Sequence, residues 1–123
     1  MNTAPLLDKS VFIVTLCLTF SSPSFADQAA CDRVLSDAEN KQILFSPAEG
    51  YKVAGEGRLY FYSAPDGNCR TKDIFVIPGN ELIAYAEHKG WFSVMYINSK
   101  TGNDYEGWVE SKRLEFTGTM GAK

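Results

Sequence analysis

Residues 90–111 read GWFSVMYINSKTGNDYEGWVES, which is two apolar segments separated by a polar one. Each apolar segment begins with a Gly-Trp pair, at Trp91 and Trp108, and continues with residues that favour a half-buried pleated surface. The polar segment between them, Asn98–Asp104, has the composition of a turn. The pattern predicts two strands, each opened by a tryptophan and joined by a polar loop. It indicates a small β-barrel and favours a module that binds over one that catalyses.

The first 26 residues have the pattern of a secretory signal peptide. Lys9 supplies a weak positive charge, Val11–Phe20 is an apolar run of ten residues, and Ser24 and Ala26 are small residues at −3 and −1 of a cut before Asp27. A membrane anchor is the alternative, but the run is about half of the ~20 residues that span a bilayer. We therefore expect export to the periplasm, cleavage of the signal peptide, and no membrane association afterwards.

The three cysteines become two when the signal peptide, which contains Cys17, is removed. Cys31 and Cys69 then allow one pairing only, and an oxidising compartment favours a disulfide between them. A loop of this length gives roughly 4 kcal/mol of stabilisation in the chain-entropy model, which is large for a small domain. A zinc site is the alternative, but one His and two Cys cannot supply the usual four ligands. We therefore expect no metal and no cofactor.

The charge distribution argues against nucleic acid as a partner. The formal net charge is −3, and removal of the signal peptide leaves it unchanged because Asp8 and Lys9 leave together. The nearest approach to a basic block is Lys112-Arg113, which is flanked by glutamates. Nucleic-acid binding requires a clustered cationic face, and this chain has none in its sequence.

The organisation of the remaining chain is a short helical arm followed by strands. Asp27–Asn40 is the one region with a helical pattern, with Val34, Leu35 and Ala38 on one face. A helix this short is marginal alone, so a bridge at Cys31 would hold it to the body. From residue 42 on, strand signals recur about every eight to twelve residues, as in a barrel or sandwich. The chain thus divides into a signal peptide (1–26), an N-terminal arm with the helix and first strand (27–55), a barrel (56–116) and a flexible tail (117–123).

Two local patterns define the centre of the predicted barrel. Leu59 and Phe61 alternate with Tyr60 and Tyr62, so the first pair is expected in the core and the second pair outside it. The segment 88–90 (HKG) predicts a tight hairpin turn into the Trp91 strand.

Read in order, these segments resemble the bacterial SH3-like domain. The stretch 59–65 (LYFYSAP) is similar to the opening strand and turn of that family, and 78–82 (PGNEL) stands where the family has a Lys-Gly-Asp-x-Val turn. The stretch 90–94 (GWFSV) matches its Gly-Trp-x-x-Val strand, and 107–109 (GWV) with Leu114 matches its closing strand. The resemblance covers residues 56–116 and implies a mainly β fold, a small SH3-like β-barrel with a short N-terminal helical arm.

The sequence departs from the family pattern at the ligand-binding surface. Tyr62 stands where the family has Arg, and Ala64 stands where it has Gly before Pro. The segment Tyr96–Tyr105 is also longer than the usual short turn. The resemblance therefore implies a fold without implying a ligand.

Catalytic residues are sparse. Cys31 and Cys69 are expected to be bridged, and His88, the one histidine, is expected to be exposed in a turn. Nucleophilic catalysis needs a nucleophile and a base within hydrogen-bonding reach, and nothing in the pattern arranges them. Paired carboxylates for glycoside hydrolysis stay open from sequence, but a small barrel offers little cleft. We expect the protein not to be an enzyme.

The aromatic residues carry the positive signal for binding. Outward tyrosines beside a turn make an apolar surface with polar tips, a composition enriched at interfaces, and nearby acidic residues would suit a peptide or a basic protein. Trp108 is expected to pack inside the barrel. The predicted partner-binding residues are Tyr60, Tyr62, Asp66, Trp91, Asp104 and Tyr105.

The resemblance also suggests functions. Bacterial SH3-like domains accompany cell-wall hydrolases as targeting modules, and stand-alone periplasmic ones include immunity proteins. We expect a protein inhibitor or immunity protein that neutralises a secreted antibacterial effector or a wall-degrading enzyme. The alternative is a cell-wall module that binds peptidoglycan peptides, and a third option is a structural periplasmic module without a ligand.

Overall fold

The computed structural model describes residues 25–119, which form one helix and seven strands. Helix α1 covers Phe25–Lys41. The strands are β1 (Ile43–Val53), β2 (Leu59–Tyr62), β3 (Arg70–Val76), β4 (Glu81–His88), β5 (Trp91–Ile97), β6 (Asp104–Glu110) and β7 (Leu114–Thr119), with a 3-10 turn at Ser111–Arg113 between the last two. The prediction of a mainly β fold with one N-terminal helix is confirmed.

The predicted signal peptide lies almost entirely outside the described residues. The predicted cleavage site, between Ala26 and Asp27, falls in the first turn of α1. The helix begins at Phe25, two residues before the start of the predicted helix. Within residues 25–119, no helix combines the length and the apolar character needed to cross a bilayer.

The seven strands form a single antiparallel sheet in the order β3-β2-β6-β5-β4-β1-β7. The two edge strands, β3 and β7, are not paired with each other in the described part of the chain. Both nevertheless contribute side chains to one apolar cluster, so the sheet must curve around it. The buried members of this inner core are Val53, Leu59, Phe61, Val76, Leu82, Ala84, Phe92, Val94 and Val109.

Strand β1 is longer than the sequence predicts. The apolar run Ile43–Phe45 is followed by Ser46-Pro47, and a proline favours the end of a strand, but the strand continues to Val53. Its pairing with β4 shifts where Leu44 lies opposite Ala86 and the next pair joins Glu49 to Ala84. The intervening residues form a bulge, which absorbs the proline without ending the strand.

The turn between β4 and β5 has the predicted form. His88 lies opposite Trp91, and the two residues between them, Lys89 and Gly90, have φ angles of 52° and 86°. Positive φ at both central residues is the type I′ pattern that matches the twist of a two-residue hairpin.

The hairpin of β5 and β6 differs from the prediction in where the turn ends. Asn98 Oδ1 accepts hydrogen bonds from the backbone N–H groups of Lys100 (2.9 Å) and Thr101 (3.3 Å), and the Asn98 N–H donates to the Asn103 carbonyl at 2.8 Å. These bonds close the turn at Asn103, so β6 begins at Asp104. The prediction that Trp108 opens its strand is therefore wrong.

The C-terminal boundary also differs. The tail was predicted to begin at residue 117, but Gly118 lies opposite Gly50 and Thr119 lies opposite Glu49. Residues 117–119 therefore belong to β7, and the rest of the predicted tail lies outside the described residues.

Trp108 is buried, with 4% of its surface exposed, but it is not a member of the inner core. It lies opposite Ser93 of β5 and Tyr62 of β2, and its neighbour Val109 points into the core. Because successive side chains of a strand alternate, Trp108 occupies the outer face of the sheet. The expectation that Trp108 is buried is confirmed, but it packs on the outer face and not in the inner core, because the β2–β6 register sets its face.

The predicted disulfide is present and joins α1 to the chain just before β3. The Cα atoms of Cys31 and Cys69 are 5.8 Å apart. Farther along the helix, Val34 faces Asp66 across a shallow cavity, and Ala38 is the one helix residue without exposed surface among those described. The helix thus lies against the end of the sheet with few buried side chains of its own.

Candidate functional site

Four side chains form a row on the outer face of β2 and β3, which we call the cation–aromatic row: Arg58, Phe75, Tyr60 and Arg70. The Arg58 guanidinium carbon lies 4.2 Å from the centre of the Phe75 ring. The Phe75 and Tyr60 rings meet edge to face with centres 5.7 Å apart, and the Arg70 guanidinium carbon lies 4.3 Å from the centre of the Tyr60 ring. Two cations therefore flank two rings.

The row follows from strand alternation and from one irregularity in register. Leu59 and Phe61 point into the core, so Tyr60 points outward, as predicted, and lies opposite Phe75. The next pair joins Tyr62 to Arg70, so β3 carries extra residues between its two pairs. This bulge includes Asp73, a non-glycine residue with φ of 62°. It brings Arg70 next to the Tyr60 ring.

Arg113 fixes the loop that precedes β2 and thereby the start of the row. Its Nε donates to the Ala54 carbonyl at 2.6 Å, and its terminal nitrogens donate to the carbonyls of Gly57 (2.7 Å) and Arg58 (3.4 Å). A Cβ at Gly55 would lie 2.8 Å from Arg113 Nε, in a backbone with φ of 79°, so glycine is required there. The loop backbone is thus wrapped around one guanidinium, which holds Arg58 in place.

The two guanidiniums of the row lie outside the salt bridges that the structure shows among residues 27–119. The salt bridges seen within residues 27–119 join Lys41 to Asp37 and Lys112 to Glu110, and neither Arg58 nor Arg70 takes part in them. A guanidinium stacked on a ring keeps its N–H groups in the plane and available to a carboxylate or phosphate. In a chain with net charge −3, the row is a local cationic surface.

A cleft of about 320 Å³ adjoins the row, between β3 and the hairpin of β5 and β6. We call it the hairpin cleft. Phe75 lines the cleft and also belongs to the row, so the two features form one continuous surface. Opposite Phe75 the cleft is lined by Tyr96 and Tyr105, and Asp73 contributes a carboxylate.

The structure distributes the predicted binding residues over four places. Tyr60 lies in the row, and Tyr105 lies in the hairpin cleft with Asp104 next to it in β6. Tyr62 and Trp91 instead contact each other, with ring centres 4.8 Å apart.

Asp66, the remaining predicted residue, lies in the turn before β3. Its Oδ1 accepts a hydrogen bond from the Asn68 N–H at 2.8 Å, and it lines a cavity shared with α1. The charged side chain that contacts the Tyr60 ring is Arg70, and the adjoining Phe75 ring carries Arg58, so the direct charged contacts of the row are cationic.

Sequence reasoning missed Arg58, Arg70 and Phe75. Arg58 could have been found, because it is two residues before Tyr60 and therefore on the same strand face. Arg70 and Phe75 could not have been found, because the position of the bulge in β3 determines which residues of that strand lie beside Tyr60.

The groups that could take part in catalysis are placed as follows. Cys31 and Cys69 are joined, and no group of three or more His, Cys, Asp or Glu side chains within residues 27–119 is arranged to hold a metal ion. The phenol of Tyr51, on β1, has a perturbed pKa. Its burial, together with the Glu49 carboxylate that accepts its hydroxyl hydrogen bond at 2.7 Å, raises the pKa of Tyr51 to about 12. A phenol held neutral in this way stabilises the fold and does not provide a base.

Comparison of the chain with protein-family models, curated proteins and solved structures finds no match.

Proposed function

We propose that the protein is an exported, non-catalytic binding protein that inhibits a protein partner, either a secreted antibacterial effector or a wall-degrading enzyme. In this role it is an immunity protein of the periplasm. The observation that carries the proposal is the cation–aromatic row, which presents two unpaired guanidiniums and two aromatic rings on the outer face of the sheet.

The composition of the row supports a protein partner. Tyrosine, phenylalanine and arginine are enriched at protein interfaces, and tyrosine and arginine dominate binding hot spots. The stacking contacts also restrict the two arginine side chains before binding, which reduces the entropy lost in a complex. None of the four side chains belongs to the inner core, so folding does not require this arrangement.

The disulfide supports export and a role without catalysis. A bridge between Cys31 and Cys69 fits an oxidising compartment, and it occupies both cysteines of the described chain. His88 pairs with Trp91 at the end of a hairpin, with no nucleophile hydrogen-bonded to it in the described residues.

The fold we propose in finer detail is an SH3-like barrel formed by residues 56–116. The curvature of the sheet around one core and the short, consecutively joined strands β4, β5 and β6 support it. Strand β1, which lies between β4 and β7, would then be an addition to the family pattern.

A peptidoglycan-peptide reader is the second candidate, and the hairpin cleft is the observation that favours it. A cleft of about 320 Å³ lined by Tyr96, Tyr105 and the Asp73 carboxylate has room for a short peptide with an amino group. Wall peptides differ from a protein partner in size, because a stable protein complex buries about 1,600 Å² in total and extends well beyond one cleft.

The test is protection against effectors in living cells. The full chain is produced in a Gram-negative host together with each of a panel of periplasm-directed peptidoglycan amidases and glycosidases. We expect rescue of growth from one enzyme of the panel, and inhibition of that enzyme by protein purified from the periplasm. Sedimentation with purified sacculi, without inhibition of any enzyme, would favour the wall reader and contradict the inhibitor.

A further inference from the structure

We infer that the cation–aromatic row binds an extended acidic segment of the partner, with two carboxylates flanking an apolar side chain. This inference rests on the proposed function, since it names the part of the partner that the row contacts. Three features of the surface carry it: the order of the groups in the row, their spacing, and the charges at the free edge of β3.

The order of the groups is cation, ring, ring, cation. The ends of the row therefore attract carboxylates, and its centre accepts an apolar side chain against Phe75 and Tyr60. An anion that lacks an apolar centre would leave these two half-buried rings uncovered. The order favours a polypeptide, in which charged and apolar side chains can follow one another, over a uniformly charged polymer.

The spacing is compatible with a β-strand. The consecutive separations of 4.2, 5.7 and 4.3 Å place the two guanidinium carbons at most about 14 Å apart. An extended chain rises ~3.4 Å per residue and places residues i, i+2 and i+4 on one face, so its outer pair lies ~13–14 Å apart, at the upper end of that range. A segment with the pattern acidic-x-apolar-x-acidic therefore presents the required side chains on one face, and flexible glutamate side chains can reach inward to both guanidiniums.

The edge strand β3 is better suited to binding a partner through its side chains than to pairing with an added strand. Free sheet edges bind extended chains through backbone hydrogen bonds, but bulges and charged residues oppose this. Strand β3 has such a bulge, with Asp73 at φ of 62° and Lys72 exposed beside it. The partner segment is therefore expected to lie across the outer face, over the rings.

The experiment uses a heptapeptide probe, Thr-Glu-Thr-Leu-Thr-Glu-Thr, added to the ¹⁵N-labelled protein after removal of its signal peptide. We expect chemical-shift changes at the side-chain Nε–H groups of Arg58 and Arg70. Binding should weaken at least about threefold in Arg58→Gln and in Arg70→Gln, and at least about tenfold, or 1.4 kcal/mol, in the double variant. Raising NaCl from about 50 to 500 mM should also weaken it, because salt screens exposed charges.

Matched controls isolate the row. Arg33→Gln removes the same charge from an exposed position on α1 and should change the affinity less than about twofold, which is within the usual range for a remote surface charge. The probe with both glutamates replaced by glutamine should not bind. The thermal unfolding midpoint of each variant separates lost binding from lost folding.

Three results would overturn the inference. The first is equal binding of the probe to the wild type and to the double arginine variant, or no binding to either. The second is loss of sacculus sedimentation in the double variant while the acidic probe binds neither protein, which would assign the row to a wall polymer. An enzyme that is still inhibited by the double variant would sink this inference and leave the proposed function intact, so the two failures are distinguishable.

Discussion

Removal of the Cys31–Cys69 disulfide should destabilise the protein by several kcal/mol. The bridge closes a loop with a sequence separation of 38 residues. In the chain-entropy model such a loop corresponds to about 4 kcal/mol at 25 °C. For a domain of this size each kcal/mol shifts the midpoint of thermal unfolding by about 4–8 °C, so the expected decrease is roughly 15–30 °C.

The helix should respond differently from the sheet. Ala38 is the one buried side chain of α1 among those described, and a helix in a protein owes most of its stability to tertiary packing. Without the bridge, we expect α1 to lose its structure at a lower urea concentration than the sheet. Oxidised protein should instead unfold in one transition.

The assay is urea denaturation followed by far-ultraviolet circular dichroism and by tryptophan fluorescence. Two forms without the bridge are compared with the oxidised protein: reduced wild type and the variant Cys31→Ser with Cys69→Ala. Alanine is chosen at position 69 because Cys69 is 5% exposed and a serine hydroxyl there would be buried. Agreement between the two forms excludes an effect of the substitutions themselves. A difference of less than about 1 kcal/mol from the oxidised protein, with one coincident transition, would refute this reasoning.

Three other predictions concern the close contact at Gly107, the loop that Arg113 holds and the ionisable phenol of Tyr51. Gly107→Ala should lower the free energy of unfolding by ~1–3 kcal/mol in urea denaturation, because the new Cβ would lie 3.0 Å from Phe61 Cδ2 and 3.1 Å from a backbone carbonyl. The control variant Gly67→Ala, whose new Cβ meets open space, should change the free energy of unfolding little. Arg113→Lys should cost about 1.5–3 kcal/mol, since a lysine cannot reproduce three hydrogen bonds to the loop carbonyls, and equal stability of this variant and wild type would contradict the role given to the guanidinium. The pKa of Tyr51 is raised to about 12 in the folded protein, so the contribution of this residue to the free energy of unfolding is complete below pH 10 and is lost as the pH rises towards 12. The wild type should therefore lose more stability over that range than Tyr51→Phe. Parallel pH profiles of the two proteins would show that the phenol is not involved.

The parts of the fold that the sequence predicts are those set by local chemistry. The turn at Lys89-Gly90, the alternation of β2 and the single available cysteine pairing all follow from neighbouring residues or from compartment chemistry. The extent of β6 does not, because it depends on the side-chain hydrogen bonds of Asn98 that close the turn early. The polar residues after that turn then pair only because Met95–Ile97 lies opposite them.

The candidate site was predictable in part for the same reason. Tyr60 was placed on the outer face correctly, since alternation is local, but the charge beside it was not. Arg70 reaches Tyr60 through a bulge in β3, and nothing in the sequence fixes where that bulge falls. Trp108 is a similar case, because its face is set by pairing with Tyr62, a residue far away in the chain.

Strand β1 has a consequence for the order of events during synthesis. It is made early, yet it lies between β4 and β7, and Tyr51 finds its partner Phe116 only near the end of the described chain. At roughly 5–20 residues per second, several seconds separate the appearance of β1 from that of β7. During this interval the edge of β1 that pairs with β7 is open, even after β4 has covered the other edge, and the inner core lacks its last strand. The sheet can therefore be completed only after β7 has been made, so one edge of β1 stays open to other extended chains until then.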